Sequence, residues 1–599
     1  MRSPARVLNS LTKHSQTTEY RFERLYRILF NEEMYYLAYQ RIYAKPGNMT
    51  QGADGETIDR MSLPRIEKLI LSLKDESYSP QPSRRVHIPK KNGKTRPLGV
   101  PSFDDKLVQE VVRMVLEAIY EGHFEDTSHG FRPHRSCHTA LNAVQKTFTG
   151  KKWFIEGDIK GFFDNVNHDI LIDILKERIS DERSIRLIRK FLRAGYLEQW
   201  RFHGTYSGMP QGGIISPVLA NIYLDKLDKY MKEYATGFDR GNRVRACREY
   251  EALTYQKRLV MRELKTATNN VERKVLVKRL KEIDKTRSAM PCFDPMDGNF
   301  KRLKYVRYAD DFLIGIIVSK VKIKDDIKRF LADRLALELS DEKTLVTHTE
   351  KPAKFLGYEV TVRKSNLQKR NKRGSLSRVY GNKVRLKVTT EVIKKKLLEL
   401  CVLKFSYHNG HEQWIPKHRS ELINNDDLEI LDSYNAEIRG FYNYYSIANN
   451  ASELNTFHYI MQYSMYKTFA GKYRTTVRRI CQKYKRNGVF TVGYTVKNGK
   501  AKERRLYNEG FKRKRPSYDR SIDRCPNPMP GVSTTSLIDR LKAQKCELCG
   551  ATDNLVMHHV RKLGELKGKE NWEKLMIARR RKTMAVCGSC HQKIHHGTF

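Results

Sequence analysis

Two adjacent carboxylates, Asp310 and Asp311, lie between two apolar stretches of the chain, residues 303–307 and 312–318. Strand-forming residues on both sides predict that the pair sits at the tip of a β-hairpin. Burying both charges is very costly unless a cation lies between them, and a site rich in carboxylate oxygens suits Mg²⁺. The hairpin therefore points to metal-dependent chemistry, although such an aromatic-x-Asp-Asp pattern arises by chance in roughly one chain in seven of this length.

The charge balance narrows the class of partner. The 599 residues include 114 Lys and Arg against 68 Asp and Glu, a formal net charge of +46. Basic side chains that neutralise phosphates supply most non-specific affinity for nucleic acid, so this excess predicts an RNA or DNA partner rather than a basic housekeeping protein. A chain of this length exceeds a single hydrophobic core, and several domains are expected.

The chain shows neither an apolar run of about 18 residues nor an apolar segment near residue 1. We therefore expect no membrane span, no secretory signal and a cytoplasmic protein that works with nucleic acid. The chain has ten cysteines, which in such a protein are not expected to form a disulfide framework.

A third carboxylate, Asp158, ends the apolar stretch 153–159. A two-metal nucleotidyl transferase brings carboxylates from separate strands to the same ions, and Asp158 together with the Asp310-Asp311 pair meets that need. Taken alone, Asp158 could also be a helix cap. The order of the three carboxylates along the chain, with the two features described next, argues against that interpretation.

Two further features fit the handling of a nucleotide. Residues 207–213 form a glycine-rich loop, in which Gln211 and Gly212 can approach a template base and an incoming nucleotide closely. Upstream, Lys90 and Arg96 can grip a triphosphate. Taken singly, the loop could be a turn and the basic pair a solvated hairpin.

In this order the motifs resemble those of the group II intron-encoded reverse transcriptases. The matching segments are Asp-Ile-Lys-Gly-Phe-Phe-Asp at 158–164, Pro-Gln-Gly-Gly-Ile-Ile-Ser-Pro at 210–217, Tyr-Ala-Asp-Asp at 308–311, Gly-Phe-Arg-Pro at 130–133, Leu-Ser-Asp-Glu-Lys-Thr at 339–344 and Phe-Leu-Gly-Tyr at 355–358. The resemblance implies a right-hand polymerase whose fingers and palm extend to about residue 360.

The same resemblance implies roles for single residues. Asp158, Asp310 and Asp311 would bind Mg²⁺, with the Ile159 carbonyl assisting. Phe163 falls where the family has its sugar-discriminating aromatic residue. These residues would together form the polymerase site.

Also within the palm, Lys343 would donate a proton to pyrophosphate. The helices around 439–445 would belong to the family's thumb, called the maturase or X region, whose basic surface holds folded intron RNA. RNA is recognised largely through its shape, phosphates and unpaired loops, so no single contact residue can be assigned. For Tyr442, Tyr444 and Tyr445, helix packing is at least as good an interpretation as base stacking.

Four cysteines near residue 599 form two Cys-x-x-Cys knuckles, Cys546 with Cys549 and Cys587 with Cys590. Four thiolates in two such pairs suit tetrahedral Zn²⁺, and a module this small needs a metal staple. A purely structural zinc ribbon is one interpretation of this pattern.

Histidines around the knuckles indicate a second metal. His558 and His559 lie between the knuckles, and His591 and His595 follow four residues apart, so one helix face can present both. The arrangement resembles the HNH, or ββα-metal, nucleases. That resemblance implies that His559 is the general base that activates water, while His558, His591 and His595 hold one divalent ion, predicted to be Mg²⁺, that stabilises the leaving oxygen.

One departure from the HNH pattern concerns the family's central Asn. Lys582 or Thr583 lies at the expected place, and Asn571 lies earlier. That Asn mainly orients the loop carrying the base, so an active nuclease is predicted, with a structural or DNA-docking zinc module as the alternative.

The sequence thus predicts an α+β multidomain protein with a right-hand polymerase, an α-helical thumb and a zinc-stapled ββα-metal module. The predicted divisions are an amino-terminal extension and fingers at 1–120, a palm at 121–360 with a charged helical insertion at about 230–300, a basic linker at 361–389, a thumb at 390–485, a DNA-binding segment at 486–540 and an HNH endonuclease at 541–599.

The predicted function is that of a mobile group II intron protein: an RNA-directed DNA polymerase, a splicing maturase and an endonuclease that nicks the second target strand to prime reverse transcription in retrohoming. The predicted partners are the host intron RNA, a DNA target and dNTPs, and the cofactors are Mg²⁺ and Zn²⁺; the oligomeric state is not predicted. A maturase with decayed catalytic sites is disfavoured by the intact Asp158, Asp310 and Asp311. A cellular reverse transcriptase without an intron is disfavoured by the thumb and HNH motifs.

Overall fold

The computed structural model describes residues 3–43, 47–89, 95–210, 212–290, 292–294, 297–317, 321–362, 368–370, 374, 376–378, 382–495, 501–523 and 537–597. Its helices are α1 Pro4–Ser15, α2 Glu32–Ile42, α3 Leu63–Lys74, α4 Phe103–Tyr120, α5 Cys137–Thr147, α6 Phe162–Asn165, α7 His168–Lys176, α8 Glu182–Arg193, α9 Ser216–Phe238, α10 Arg248–Thr266, α11 Asn270–Ala289, α12 Val321–Leu335, α13 Thr390–Glu399, α14 Asp427–Tyr445, α15 Leu454–Lys472, α16 Val477–Tyr484, α17 Leu537–Lys542, α18 Asn571–Arg579 and α19 Gly588–His596. Its strands are β1 Ser83–Pro89, β2 Thr95–Val100, β3 Trp153–Asp158, β4 Tyr196–Glu198, β5 Arg201–His203, β6 Arg302–Tyr308, β7 Asp311–Ile317, β8 Leu345–His348, β9 Ala353–Phe355, β10 Tyr358–Val362, β11 Gln368–Arg370, β12 Leu376–Arg378, β13 Val384–Lys387, β14 Leu403–His408, β15 His411–Pro416, β16 Lys485–Arg486, β17 Val489–Thr495, β18 Ala501–Arg505, β19 Leu555–His559 and β20 Thr583–Cys587. Among the described helices, none combines the length and apolar character needed to cross a bilayer.

A four-stranded antiparallel sheet in the order β6-β7-β3-β8 carries the carboxylates. β6 and β7 form the predicted hairpin, and β3 lies beside β7. Because successive strand residues face opposite sides, Ile155 and Ile314 join the apolar core of the amino-terminal helices, while Phe154 and Leu313 join the core shared with the thumb. Both faces of the sheet are therefore buried, which is why β7 is a continuous apolar run in the sequence.

A buried ion pair stabilises the β6–β7 hairpin. Arg307 of β6 is 0% exposed, and its Nε donates to Oδ1 of Asp228 on α9 at 2.8 Å. The same carboxylate oxygen accepts the hydroxyl of Tyr305 at 2.9 Å. Arg307 also donates to the carbonyl of Ala309 in the hairpin turn, again at 2.8 Å. One guanidinium thus ties the long palm helix to the turn that carries the carboxylates.

Replacing Asp228 with alanine should lower the free energy of unfolding by about 3–5 kcal/mol, because it leaves a buried guanidinium without its counter-charge. Urea unfolding followed by tryptophan fluorescence measures this, with Trp153 on β3 as a nearby probe. The control is Glu177→Ala, which removes the exposed pair with Lys226 and should cost about 1 kcal/mol or less. Equal effects of the two substitutions would contradict a structural role for the buried pair.

The charged insertion is a helical hairpin made of α10 and α11. These helices enclose a small apolar cluster of their own, Val260, Ala267, Leu276 and Ile283. α9 runs on to Phe238, so the insertion begins later than the predicted residue 230. A β-bridge between Arg240 and Lys301 closes its base. The strands of the palm resume with β6 directly after this bridge.

Where the sequence indicated a basic linker at 361–389, the described parts of this stretch include paired strands. Its ends belong to β10 and β13, which pair antiparallel with Val362 opposite Val384. Between them, β11 pairs with β12. The amino-acid composition of this stretch suggested a linker. Composition carries no information about strand pairing, and the pairing of β10 with β13 holds the two ends of the stretch in one sheet.

The thumb helices α13 to α16 occupy the region expected to be helical, with the hairpin β14–β15 between α13 and α14. Tyr442 and Tyr445 are buried, and Tyr444 donates its hydroxyl to the Leu356 carbonyl at 3.0 Å. Of the two interpretations left open for these tyrosines, helix packing is confirmed for Tyr442 and Tyr445. The segment 486–540 includes the sheet β16-β17-β18 where loops were expected, because Phe490 of β17 is buried in the thumb core.

Two candidate metal centres

Three carboxylates meet at one edge of the central sheet. Asp158 ends β3 directly opposite Asp311, the first residue of β7, and Asp310 precedes it in the turn. Burial, the Asp310 charge and a hydrogen bond with Asp158 together raise the pKa of Asp311 to about 7. Burial also raises the pKa of Asp310. Carboxylates this close oppose each other's ionisation unless a cation lies among them, so the set fits divalent ions.

A lysine lies against this cluster. Lys343 Nζ is 2.6 Å from Oδ2 of Asp158, and this hydrogen bond raises the pKa of Lys343. The segment that carries it is fixed to β3, because the Ser340 N–H donates to the Asp158 carbonyl at 2.9 Å and Leu339 forms a β-bridge with Ile159. This contact brings the predicted proton donor beside the predicted metal ligand Asp158, which is 185 positions away in the sequence.

The turn between β6 and β7 is held in an unusual conformation. Ala309 has a φ of +57°, in the left-handed region that L-residues adopt at a cost of about 1–2 kcal/mol. The Arg307 contact to its carbonyl stabilises that conformation. Gly130 lies directly against it: a Cβ on Gly130 would come within 2.3 Å of the Ala309 nitrogen. This contact gives the Gly-Phe-Arg-Pro motif its physical role, since only glycine leaves room for the turn.

The glycine-rich loop packs tightly against the fingers hairpin. Gly212 has a φ of +115°, and a Cβ there would lie 2.4 Å from the Gly99 carbonyl oxygen. A buried side chain that the sequence analysis missed orders the end of the loop: Oε1 of Gln109, on α4, accepts the Ile214 N–H at 2.8 Å. A glutamine inside a helix carries no sequence signal for such a role. Gln211 itself lies outside the described residues.

The remaining predicted polymerase residues are distributed around this edge. Arg96 is on β2, and its positive charge acts against the rise that burial causes in the pKa of Asp310. Phe163 is partly buried on α6, where its carbonyl accepts the Met209 N–H at 2.6 Å. Lys90 lies outside the described residues.

The second centre begins with the four cysteines. The sulfur atoms of Cys546, Cys549, Cys587 and Cys590 all lie within 4.8 Å of one another, and those of Cys549 and Cys587 are 3.6 Å apart. The backbone N–H of Cys549 points at Cys546 Sγ, and that of Cys590 at Cys587 Sγ. Convergent thiolates that also accept N–H groups are a donor set that suits tetrahedral Zn²⁺.

The histidines form a separate cluster with a fourth residue that the sequence analysis did not identify. His558 on β19 and His591 and His595 on α19 converge on Asp59, a residue of the amino-terminal region. Asp59 Oδ2 lies 3.0 Å from His591 Nε2 and 2.9 Å from His595 Nε2. Although burial opposes its charge, the hydrogen bond with His591 and the nearby imidazoles hold the pKa of Asp59 well below its usual range.

The two ring nitrogens of His558 are better placed to bind a metal ion than to form hydrogen bonds. Both ring nitrogens of His558 are buried and make no hydrogen bond to any described residue. The nearest Asp59 oxygen is 3.6 Å from His558 Nδ1, beyond bonding distance. Burial lowers the pKa of His558 to about 4, so its imidazole is neutral and can coordinate. Unpartnered buried nitrogens beside a carboxylate are what a divalent cation would satisfy.

His559, the predicted base, faces the other side of β19. Its Nε2 is 2.9 Å from the hydroxyl of Tyr39 on α2, and its Nδ1 is 3.0 Å from the Met557 carbonyl. His559 is 5% exposed, and burial lowers its pKa to about 4. Opposite it on β20 lies Thr583, where the HNH pattern has Asn; the Thr583 hydroxyl accepts from Arg540 at 2.7 Å. Asn571 begins α18 instead.

Three family models match the chain in sequence order. Residues 88–255 match a reverse transcriptase (RNA-dependent DNA polymerase), residues 382–515 a type II intron maturase, and residues 546–591 an AI2M/AI1M-like HNH endonuclease. The first range includes Asp158 but ends before Asp310 and Asp311. The maturase range includes the thumb helices, and the HNH range includes the four cysteines, His558, His559 and His591. The order agrees with that expected from the sequence motifs.

One similar protein matches this chain over the whole length of both. Group II intron-encoded protein LtrA of Lactococcus lactis subsp. cremoris is 43% identical over 100% of both chains. The putative COX1/OXI3 intron 1 protein of Saccharomyces cerevisiae is 34% identical over 96% of this chain and 69% of that one. A solved Candida albicans telomerase aligns with 67% of this chain and 56% of its own at 11% identity, with a TM-score of 0.34 that supports no argument.

Proposed function

The chain belongs to the group II intron-encoded proteins, and from that membership we propose that it serves one intron at three steps: splicing of the host intron RNA, cutting of the second strand of a DNA target, and copying of the RNA from the cut end. It carries reverse transcriptase, maturase and HNH endonuclease domains. The observation that supports the coupled function best is that one chain holds two separate metal-ligand sets, one of carboxylates and one of histidines. We keep the predicted domain limits, with β10 and β13 paired at the two ends of 361–389.

In the polymerase, Asp158, Asp310 and Asp311 would hold two Mg²⁺ ions, whose chemistry is activation of the primer 3′-hydroxyl and neutralisation of charge during phosphoryl transfer. Pairing of β3 with β7 fixes two of these carboxylates relative to each other before substrate arrives. Lys343 keeps its proton on Nζ, because Asp158 raises its pKa, and can pass that proton to the departing pyrophosphate.

The other predicted polymerase residues would hold the dNTP. Arg96 brings a positive charge near Asp310, as a triphosphate grip requires. Phe163 would exclude a 2′-hydroxyl, and Gly212 would let the loop approach the base pair. We assign Lys90 and Gln211 to the same tasks on their sequence motifs alone.

For the maturase step, the intron RNA would bind a basic surface that includes the thumb. A net charge of +46 supplies the phosphate-neutralising side chains. Because Tyr442 and Tyr445 are buried, we assign RNA contact to basic side chains rather than to these rings.

In the nuclease, His558, His591 and His595 would hold one divalent ion, which supplies charge stabilisation for the leaving oxygen. His559 would take a proton from the attacking water at Nε2. Zinc on the four cysteines would hold β19, β20 and α19 in place, since this module has only a small apolar core of its own.

The coupled function is tested with one reconstituted reaction. Protein bound to its intron RNA is mixed with a labelled DNA duplex that contains the target site, Mg²⁺ and dNTPs. We expect complementary DNA covalently joined to the second strand at the nick, as sequencing of the junction would reveal. A mixture of the Asp310→Ala and His559→Ala proteins, each loaded on RNA, is the control for cutting and copying by different molecules. Complementary DNA that begins only at added primers would contradict the proposal.

A further inference from the structure

The nuclease module is docked on the amino-terminal region of the polymerase. Met557 of β19 donates its N–H to the Met61 carbonyl at 2.8 Å, and the two residues form an antiparallel bridge. Met557, Ala585, Leu537 and Leu541 belong to the apolar core of the amino-terminal helices rather than to the module's own core. At the rim, Lys542 pairs with Glu33 at 2.9 Å. The contact therefore combines backbone pairing, buried apolar side chains and an ion pair.

Asp59 belongs to the amino-terminal region and contacts the histidine cluster of the docked module. Its Oδ1 accepts the His559 N–H at 2.8 Å, which aligns the carboxylate with β19. Its Oδ2 lies within 3.0 Å of Nε2 on both His591 and His595. His558 faces the same carboxylate with both ring nitrogens unpartnered among the described residues. One ligand atom from each of the four side chains lies within 4.8 Å of the other three.

We propose that Asp59 is the fourth ligand of the nuclease ion, and that in this docked form the nuclease is closed. The inference rests on the proposed function of the histidines as ligands. Each side chain bound to an ion takes a coordination position that water or a phosphodiester could otherwise fill, and catalytic zinc sites keep a position open for this reason. Asp59 takes one such position, so the ion would link the module to the polymerase.

The general base is blocked in the same form. His559 is 5% exposed, and its Nε2 is occupied by the hydroxyl of Tyr39, a residue that is itself 0% exposed. Neither water nor a phosphodiester can reach that nitrogen while α2 covers it. Undocking would remove Asp59 and Tyr39 together, and would thereby open both the ion and the base. Second-strand cutting then depends on release of the module from the amino-terminal region.

Ion binding tests the ligand. Mn²⁺ affinity is measured by electron paramagnetic resonance on the full-length, zinc-loaded protein in an Asp158→Ala/Asp310→Ala background, which removes two of the three palm carboxylates. Asp59→Asn and His591→Ala should each weaken binding at least about tenfold, the lower limit of the loss seen even for outer-shell partners. The control is Asp54→Asn, an exposed carboxylate in the same segment, which should bind as the parent does.

The variants separate the two possible failures. If Asp59→Asn binds Mn²⁺ like the parent while His591→Ala does not, the fourth-ligand proposal is wrong and the histidine site stands. If His591→Ala also binds like the parent, the proposed nuclease site itself is wrong. At saturating Mn²⁺, Asp59→Asn should nick DNA faster than wild type, because the docked form is weakened. Slower nicking would make Asp59 a ligand of the active nuclease and would refute the closed form.

A disulfide tests the docked form directly. Met61→Cys with Met557→Cys places two thiols across an antiparallel bridge, at a spacing that a disulfide can span. Met61→Cys with Val556→Cys is the matched control, because successive strand residues face opposite sides. The first pair should cross-link under oxidation, and its nicking should fall at least about tenfold and recover with reductant, as expected for a site held shut. Failure to cross-link, or nicking unchanged by oxidation, would overturn the proposal.

Discussion

Replacing Asp310 with alanine should abolish RNA-templated DNA synthesis while leaving RNA binding intact. The expected loss in the single-turnover rate is at least about 10³-fold, the upper end of what removal of one transition-state-stabilising group produces. The reason is geometric. The pairing of β3 with β7 fixes Asp158 opposite Asp311, and the β6–β7 turn offers no second carboxylate that could replace Asp310. Primer extension on an RNA template with Mg²⁺ measures the rate, and filter binding measures RNA affinity.

Misfolding can be separated from loss of chemistry in this experiment. Burial and the Asp310 charge raise the pKa of Asp311, so the metal-free cluster holds repelling charges at neutral pH. Removing Asp310 should therefore leave the melting temperature of the metal-free protein unchanged or raise it. Asp325→Ala, an exposed carboxylate on α12, is the control and should copy RNA normally. Copying by Asp310→Ala at the wild-type rate would refute the palm assignment.

Replacing His559 with alanine should reduce second-strand nicking by about 10²–10⁴-fold, the usual contribution of a general base. Zinc content should not change, because the four thiolates that fit Zn²⁺ form a separate cluster. RNA-templated synthesis from a supplied primer should also be unaffected. Nicking is measured on a labelled duplex at saturating divalent ion, and zinc by elemental analysis of the dialysed protein.

The matched control for this substitution is His596→Ala. His596 is an exposed imidazole at the end of α19, next to the proposed ligand His595, and the variant should nick like wild type. Because His559 also bonds to Tyr39, its loss should loosen the docked module as well as remove the base. Undiminished nicking by His559→Ala would assign the base elsewhere, whatever its effect on docking.

Several features could be predicted because their signals are local. The β6–β7 hairpin follows from apolar residues flanking a polar turn. The cysteine spacing alone brings two pairs of thiolates toward one point, and the structure places all four within 4.8 Å. Such patterns depend on neighbours along the chain, and the backbone geometry of strands and knuckles converts them directly into structure.

Other features have no local signal. Gln109 and Asp228 are ordinary polar residues, and their roles appear only when α4 packs against the glycine-rich loop and α9 against the β6–β7 hairpin. The basic residues of 361–389 suggested a linker because composition is blind to the pairing of β10 with β13. Gly130 was identified by its motif, yet the reason for glycine is a contact with Ala309, far along the chain.

By itself, the sequence determined the chemistry of this protein: which carboxylates, thiolates and imidazoles it carries and in which order the domains follow. Only the tertiary structure decided which of these groups meet. Asp59 and His591 are separated by 532 positions, and no periodicity or spacing links them. Their contact depends on the docking of one folded module on another, whose stability comes from buried surface contributed by both. That is why the fourth residue of the histidine cluster could not be predicted, although the other three were.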